Sequence, residues 1–173
     1  DSLEFDEDPT PDTYDAHGTS CAGLAAAAMN NAEGVVGICP GCSVMPIRIM
    51  SEDGWGRYGA DVDAFEWAAD HGASILSNSW GTSEPSSIPS AMQAAIQAVA
   101  DESRSGSGAL VLFAAGNEYR ENFDYELASH PSVLGVGATD SRDLKEYYSN
   151  WGNELDITAP AGSVTTDIQS GGG

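Results

Sequence analysis

The sequence predicts an α/β domain: a mostly parallel β-sheet with helices on both faces. Strand-like and helix-like runs alternate along most of the chain. Residues 109–114, Ala-Leu-Val-Leu-Phe-Ala, are apolar at every position, as in a sheet strand covered on both sides. Residues 88–103 space Met92, Ile96 and Val99 so that they share one helical face.

Each element follows from local pattern. Residues 1–16 are acidic and proline-bearing, which reads as a surface loop. A helix is predicted over 19–29, ended by Asn30, Asn31 and a turn at Gly34. Residues 43–50 read as a strand, although Pro46 lacks the N–H that a ladder needs. Val62, Phe65 and Ala69 mark a helix over 59–71 that closes at His71-Gly72. Strands are predicted over 73–79, 109–114 and 133–138. Without repeats or an inter-domain linker, the chain reads as one domain over 1–173.

Composition narrows the function. There are 27 acidic residues against 6 basic ones, a formal net charge of −21, and Lys145 is the only lysine. That balance disfavours nucleic acid, because phosphate binding needs Lys and Arg clusters. It fits a solvated acidic surface, adaptation to salt, or calcium held by oxygen ligands. No apolar run is long enough to span a membrane, so no membrane association is expected. The acidic N-terminus has no basic leader region, so no signal peptide is expected in these residues.

The three cysteines are Cys21, Cys39 and Cys42. Cys39-Pro40-Gly41-Cys42 has the spacing of a redox or zinc half-site, but no second ligand pair completes a zinc site and nothing else supports a redox function. A local disulfide across the Pro-Gly turn and a small buried hydrophobe both remain open.

His17 opens a run, His17-Gly18-Thr19-Ser20-Cys21-Ala22-Gly23, in which Gly18 could let the backbone pack close to the histidine. It is followed by 30–37 (Asn-Asn-Ala-Glu-Gly-Val-Val-Gly), 45–48 (Met-Pro-Ile-Arg) and Asn78-Ser79-Trp80-Gly81. Ala114-Ala115-Gly116-Asn117, the strand 133–138, Tyr148-Ser149-Asn150-Trp151-Gly152 and Ile157-Thr158-Ala159-Pro160 come next. Taken in this order, the motifs resemble the subtilisin-like serine proteases over nearly the whole chain. Thr165-Thr166-Asp167 resembles the kexin-like branch.

The resemblance implies a subtilisin-like fold, incomplete at both ends, and a secreted, extracellular serine endopeptidase acting on polypeptides through an Asp-His-Ser triad. His17 matches the general base, and Asn117 the residue whose amide donates to the oxyanion. Gly54, Trp55 and Gly56 match one edge of the substrate cleft, and Ser79, Trp80 and Gly81 the other. A peptide would lie between them as an added strand. Trp55 and Trp80 also read as core aromatics. The side chain of Asn31 and the carbonyls of Met29, Glu33 and Val35 match a calcium loop, which also reads as a plain turn.

The pattern departs from the family in two places. The nucleophile's Gly-Thr-Ser motif is expected beyond residue 173 and the triad aspartate before residue 1, so neither Asp1 nor Asp15 is assigned. Gly18-Thr19-Ser20 belongs to the histidine motif. On this reading the 173 residues alone are inactive. The alternatives are a non-catalytic binding module of the same fold, or a fragment completed by a partner chain. Glu52, Asp53 and Glu84 lie near the expected cleft and would attract a cationic substrate.

Overall fold

The computed structural model describes residues 8–10, 16–51 and 59–166. They form two compact units: Asp1–Ala64 with Ser163–Gly173, and Phe65–Gly162.

The second unit contains the sheet. Strands β1 (Ile75–Asn78), β2 (Leu110–Ala114), β3 (Leu134–Thr139) and β4 (Ile157–Pro160) lie in the order β1-β2-β3-β4. Every neighbouring pair is parallel, with Ile75 beside Leu110, Leu112 beside Leu134 and Val136 beside Ile157. This is the predicted α/β class. A parallel pair cannot be joined by a tight hairpin, and the amphipathic helix 90–101 makes the connection from β1 to β2.

That helix contains the best helix formers of the chain, Ala, Met and Gln, with no glycine or proline inside it. Its apolar stripe of Met92, Ile96 and Val99 is at most 1% exposed. Val111 and Phe113 of β2 are equally dry. Phe113 stacks on Phe65 at 6.2 Å and meets the edge of Trp80 at 5.1 Å. Although β2 is apolar throughout, its burial alternates, with Leu110 and Ala114 exposed. β4 is exposed at all four positions.

In the first unit, helix α1 (His17–Ala26) is followed by a loop that folds back on it. The amides of Ile38 and Cys39 donate to the carbonyls of Leu24 and Ala25, which satisfies acceptors that the last helical turn leaves open. Helix α2 (Ala60–Asp70) contains the boundary between the units. The helix 90–101 is therefore α3 in chain order.

Some expectations need correction. The first helix ends at Ala26, not at Met29, because Ala27 turns to an extended conformation (ψ 135°). Residues 43–50 form no strand. Among the described residues of that unit there is no neighbouring strand to complete a ladder, and Pro46 removes a donor. Gly18 has open space around it, whereas the close approach is at Gly23. A Cβ on Gly23 would overlap the side chains of Thr165 and Thr166. Cys39 and Cys42 form the local disulfide, with Cα atoms 5.3 Å apart.

Ile96 is fully buried, so Ile96→Ala leaves a cavity that the packed helix cannot fill. The expected loss is about 2–5 kcal/mol. It is read as a lower urea midpoint at unchanged m.

Candidate active site

In an open parallel sheet, the carboxyl ends of the strands are where ligands bind, because the connecting loops diverge there. The second unit has a groove of about 300 Å³ at that end. Ser79 follows β1 and Asn117 follows β2, and both line this groove together with Gly137, Ser149 and Pro160. Two residues singled out in separate motifs are thus brought to one cavity by the topology. Trp80 is half-buried; its indole N–H donates to Asn78 Oδ1 at 3.1 Å and its ring packs on Phe113. Gly81 is exposed. Gly54, Trp55 and Gly56 lie outside the described residues, as do Asp1, Asp15, Glu52, Asp53 and Asp167.

Asn117 is exposed, and among the described residues its carboxamide has no partner. Its backbone, in contrast, is held on every side. The organiser is Asn150, which is 2% exposed. Asn150 Nδ2 donates to Ala115 O at 3.0 Å and to Glu118 Oε2 at 2.8 Å. Its Oδ1 accepts from the amides of Glu118 and Arg120 at 3.0 and 3.1 Å. The backbone N–H of Asn150 donates to Gly116 O at 3.0 Å. Glu118 Oε2 also accepts from the N–H of Asn117 at 3.0 Å.

Gly116 is required in this loop. Its φ is +105°, and a Cβ there would stand 2.5 Å from Asn150 Nδ2 and 2.6 Å from Glu118 Oε2. Asn122, also buried, donates to Ala115 O at 2.9 Å. Residues 119–122 then run along 148–151, with Tyr119 donating to Tyr148 O and Trp151 to Arg120 O.

A charged pair closes the loop. The Arg120 guanidinium donates to both oxygens of Glu126, at 2.8 and 2.6 Å, and Phe123 N–H adds a third bond at 2.8 Å. Burial opposes ionisation of Glu126, but those bonds and the Arg120 charge prevail and hold its carboxyl below the usual range. Hydrogen bonding to Glu126 likewise raises Arg120, and Glu84, which is exposed, adds to the negative field at that guanidinium. The only lysine, Lys145, sits over the rings of Tyr119 and Trp151, 4.5 and 4.8 Å from their centroids. It also donates to the carbonyls of Glu146 and Ser149.

His17 is the first residue of α1 and is exposed. Its Nε2 lies 3.8 Å from the free thiol of Cys21, one turn on. Three bonds stitch α1 to the segment near residue 166. Thr165 Oγ1 donates to Ser20 O, Thr166 Oγ1 to Thr19 O, and Ser20 Oγ to Thr166 O. The backbone just after His17 is thereby fixed by residues almost 150 positions away in the chain.

In the loop after α1, Asn30, Ala32 and Gly34 all have positive φ (60°, 59° and 56°). Asn31 Oδ1 accepts from Glu33 N–H at 3.2 Å. An amide oxygen has a second lone pair, and the carbonyls of Met29, Glu33 and Val35 are hard oxygens of the same kind. This donor set fits calcium better than zinc or copper. Among the described residues, no group of three or more His, Cys, Asp or Glu side chains is placed to hold a metal ion.

Asn150, Asn122, Asn78 and the Arg120–Glu126 pair were not singled out as site residues from sequence. A buried asparagine has no periodicity to reveal it, and the only signal was its place inside Tyr148-Ser149-Asn150-Trp151-Gly152.

The Glu126 carboxyl is held below its ordinary value of 4.5. Its pair therefore stabilises the fold above that pH, and the contribution is lost as pH falls through the folded value. Glu126→Gln is expected to cost about 1–3 kcal/mol at neutral pH. Its stability then falls less steeply than the parent's below about pH 4.5, as acid titrations followed by circular dichroism would record.

Comparison with known proteins supplies the family. Residues 2–172 match the profile of the subtilase family. Thermitase of Thermoactinomyces vulgaris is 34% identical over 155 residues, which cover 90% of this chain and 52% of thermitase. A calcium-dependent protease of Trichormus variabilis is 33% identical over 168 residues, covering 88% of this chain and 24% of that protein. A psychrophilic subtilisin-like protease from Pseudoalteromonas sp. AS-11 superposes with a TM-score of 0.75 at 30% identity. The match covers 88% of this chain and 34% of that structure. The chain thus spans about half or less of the length of these relatives. With the profile matched over almost every residue and the parallel sheet shared with solved relatives, this chain belongs to the subtilase family.

Proposed function

We propose that this chain is the central part of a secreted serine endopeptidase, with His17 as general base and Asn117 as an oxyanion donor. The observation that carries this reading is the loop after β2. There an exposed carboxamide, without a partner among the described residues, extends from a hydrogen-bonded backbone beside a groove at the strand ends.

The chemistry follows from those two groups. The neutral imidazole of His17 takes the proton of a serine hydroxyl as the oxygen attacks the peptide carbonyl. The carbonyl oxygen becomes an oxyanion, and the Asn117 amide donates to it. The imidazolium then gives its proton to the leaving amine as the C–N bond breaks. Water hydrolyses the acyl-enzyme by the same two transfers. No residue of this chain is assigned as the serine or as the aspartate that orients the imidazole.

Substrate binding as an added strand is supported by Ser79, which follows β1 and lines the same groove as Asn117. The packing of Trp80 on Phe113 makes its ring part of the wall behind that strand end. Secretion is supported by the Cys39–Cys42 disulfide, since such bonds persist in oxidising compartments. Calcium would be held by Asn31 Oδ1 and the carbonyls of Met29, Glu33 and Val35, and would brace the loop after α1. The name of the Trichormus relative agrees with that assignment.

A fluorophosphonate probe tests the catalytic reading. The full-length protein is expected to become labelled and the isolated 173 residues not. His17→Ala in the full-length protein is expected to abolish labelling, and a folded variant that still labels would remove His17 from the mechanism. Asn117→Ala is expected to lower kcat by about 10²–10³ with little change in KM, a magnitude carried over from subtilisin rather than obtained from this geometry.

Thermal unfolding tests the ion site without reference to activity. At a calcium concentration of about 100 times Kd, stability is expected to rise by about 2.7 kcal/mol over the chelated protein. Asn31→Ala is expected to erase that difference. Equal melting temperatures with calcium and with chelator would count against the site.

A further inference from the structure

An oxyanion donor works only if it waits where the charge will form, because an amide that must reorient during the reaction loses most of its advantage. Among the described residues the Asn117 carboxamide has no partner, so the backbone that carries it fixes the Cα–Cβ direction and with it the positions that the amide's rotamers can reach. We infer that Asn150 is a positioning residue for Asn117, acting through the backbone on both sides of it and through the carboxylate of Glu118. This assignment rests on the oxyanion role proposed above for Asn117.

The contacts bracket one residue. Upstream of Asn117, Asn150 binds the carbonyls of Ala115 and Gly116 through its side-chain and main-chain nitrogens. Downstream, its Oδ1 takes the amides of Glu118 and Arg120 together. Its remaining donor engages Glu118 Oε2, and that same oxygen holds the N–H of Asn117. The carboxamide thus uses both donors and both acceptor positions on the loop 115–120, and it is 2% exposed. A side chain serving only to fill space here would have no need of two donors and two acceptor sites. Aspartate, of the same shape, has no donors to offer when ionised and would set a second carboxylate against Glu118.

The geometry also explains why the constraint is tight. Ala115 immediately follows β2, and its carbonyl accepts from both Asn150 and Asn122. Gly116 has the left-handed φ and the missing Cβ that let Asn150 approach. On the far side, Asn150 follows Ser149, whose hydroxyl accepts from the amide of Ala138 in β3. The position of Asn117 is therefore referred to β2 and β3 at once, rather than to a loop alone.

The test uses the full-length protein and reads kcat and KM separately. Asn150→Asp is expected to lower kcat by between about 10-fold and 100-fold, since a displacement near 1 Å costs that order, with KM within about twofold. A peptide aldehyde, which forms a tetrahedral adduct with the catalytic serine, is expected to lose affinity by a similar factor. A product peptide should not. In an Asn117→Ala background the same substitution is expected to cost less than about threefold, because the donor it positions is gone. A purely structural role predicts the opposite, an equal loss in both backgrounds, and that result would overturn the assignment. So would an unchanged kcat in a folded Asn150→Asp protein.

If Asn150→Asp does not fold, Glu118→Ala, at an exposed position, removes the tie on the Asn117 amide. It is expected to show the same kcat loss and the same dependence on Asn117. Failure to show either would overturn the assignment equally. An unsubstituted full-length protein that neither hydrolyses peptides nor labels would instead dispose of the catalytic reading itself, and the positioning role with it.

Discussion

One buried and fully hydrogen-bonded amide, that of Asn150, shapes the functional end of this molecule. Asn150 is withdrawn from water almost completely, and an amide left unpaired there would cost several kcal/mol. It avoids that cost by gathering carbonyls and amides from 115–120, which no regular element would hold in place. The left-handed Gly116, the parallel run of 119–122 against 148–151 and the Arg120–Glu126 fork follow from that one choice. Breaking any one of them would expose a polar group elsewhere in the loop, so the set is cooperative.

The scarcity of cations has a structural counterpart. With only six basic residues against 27 acidic ones, few ion pairs can form. Arg120 ties two ends of a loop through Glu126, and Arg104 donates to Gly108 O where the helix region turns toward β2. Arg142 closes a turn on Asp140, and Lys145 is placed between two aromatic rings. Each of these positive groups has an internal partner, and the excess negative charge is left to the surface.

Much of the fold could be read from pattern because burial imposes period. Met92, Ile96 and Val99 repeat at helical spacing and are all dry, and the apolar run of β2 is a strand. Where burial is weak, the pattern fails: β4 is exposed throughout and ends in proline, so only its motif marked it. The supposed strand at 43–50 shows the converse, since apolar β-formers do not make a strand without a neighbour. Among the candidate residues, His17, Ser79 and Asn117 stood out because their motifs are contiguous in sequence. Asn150 did not, because its partners lie 30 to 35 residues away and a single asparagine announces no geometry. Likewise the crowding at Gly23 comes from Thr165 and Thr166, which no local reading of the His17 motif would supply.

Those threonines carry a kinetic consequence. The hydroxyl bonds onto α1 join residues separated by 145 to 147 positions, and the first unit is made from the two ends of the chain. Closing so long a loop has a high entropic barrier unless the intervening residues are already compact. The sheet unit, continuous in sequence from Phe65 to Gly162, is free to fold on its own contacts. The helix that begins with His17 must wait for Thr165 and Thr166, which are synthesised almost 150 residues later. On a ribosome, the helix after His17 thus emerges long before the two threonines that become its native neighbours.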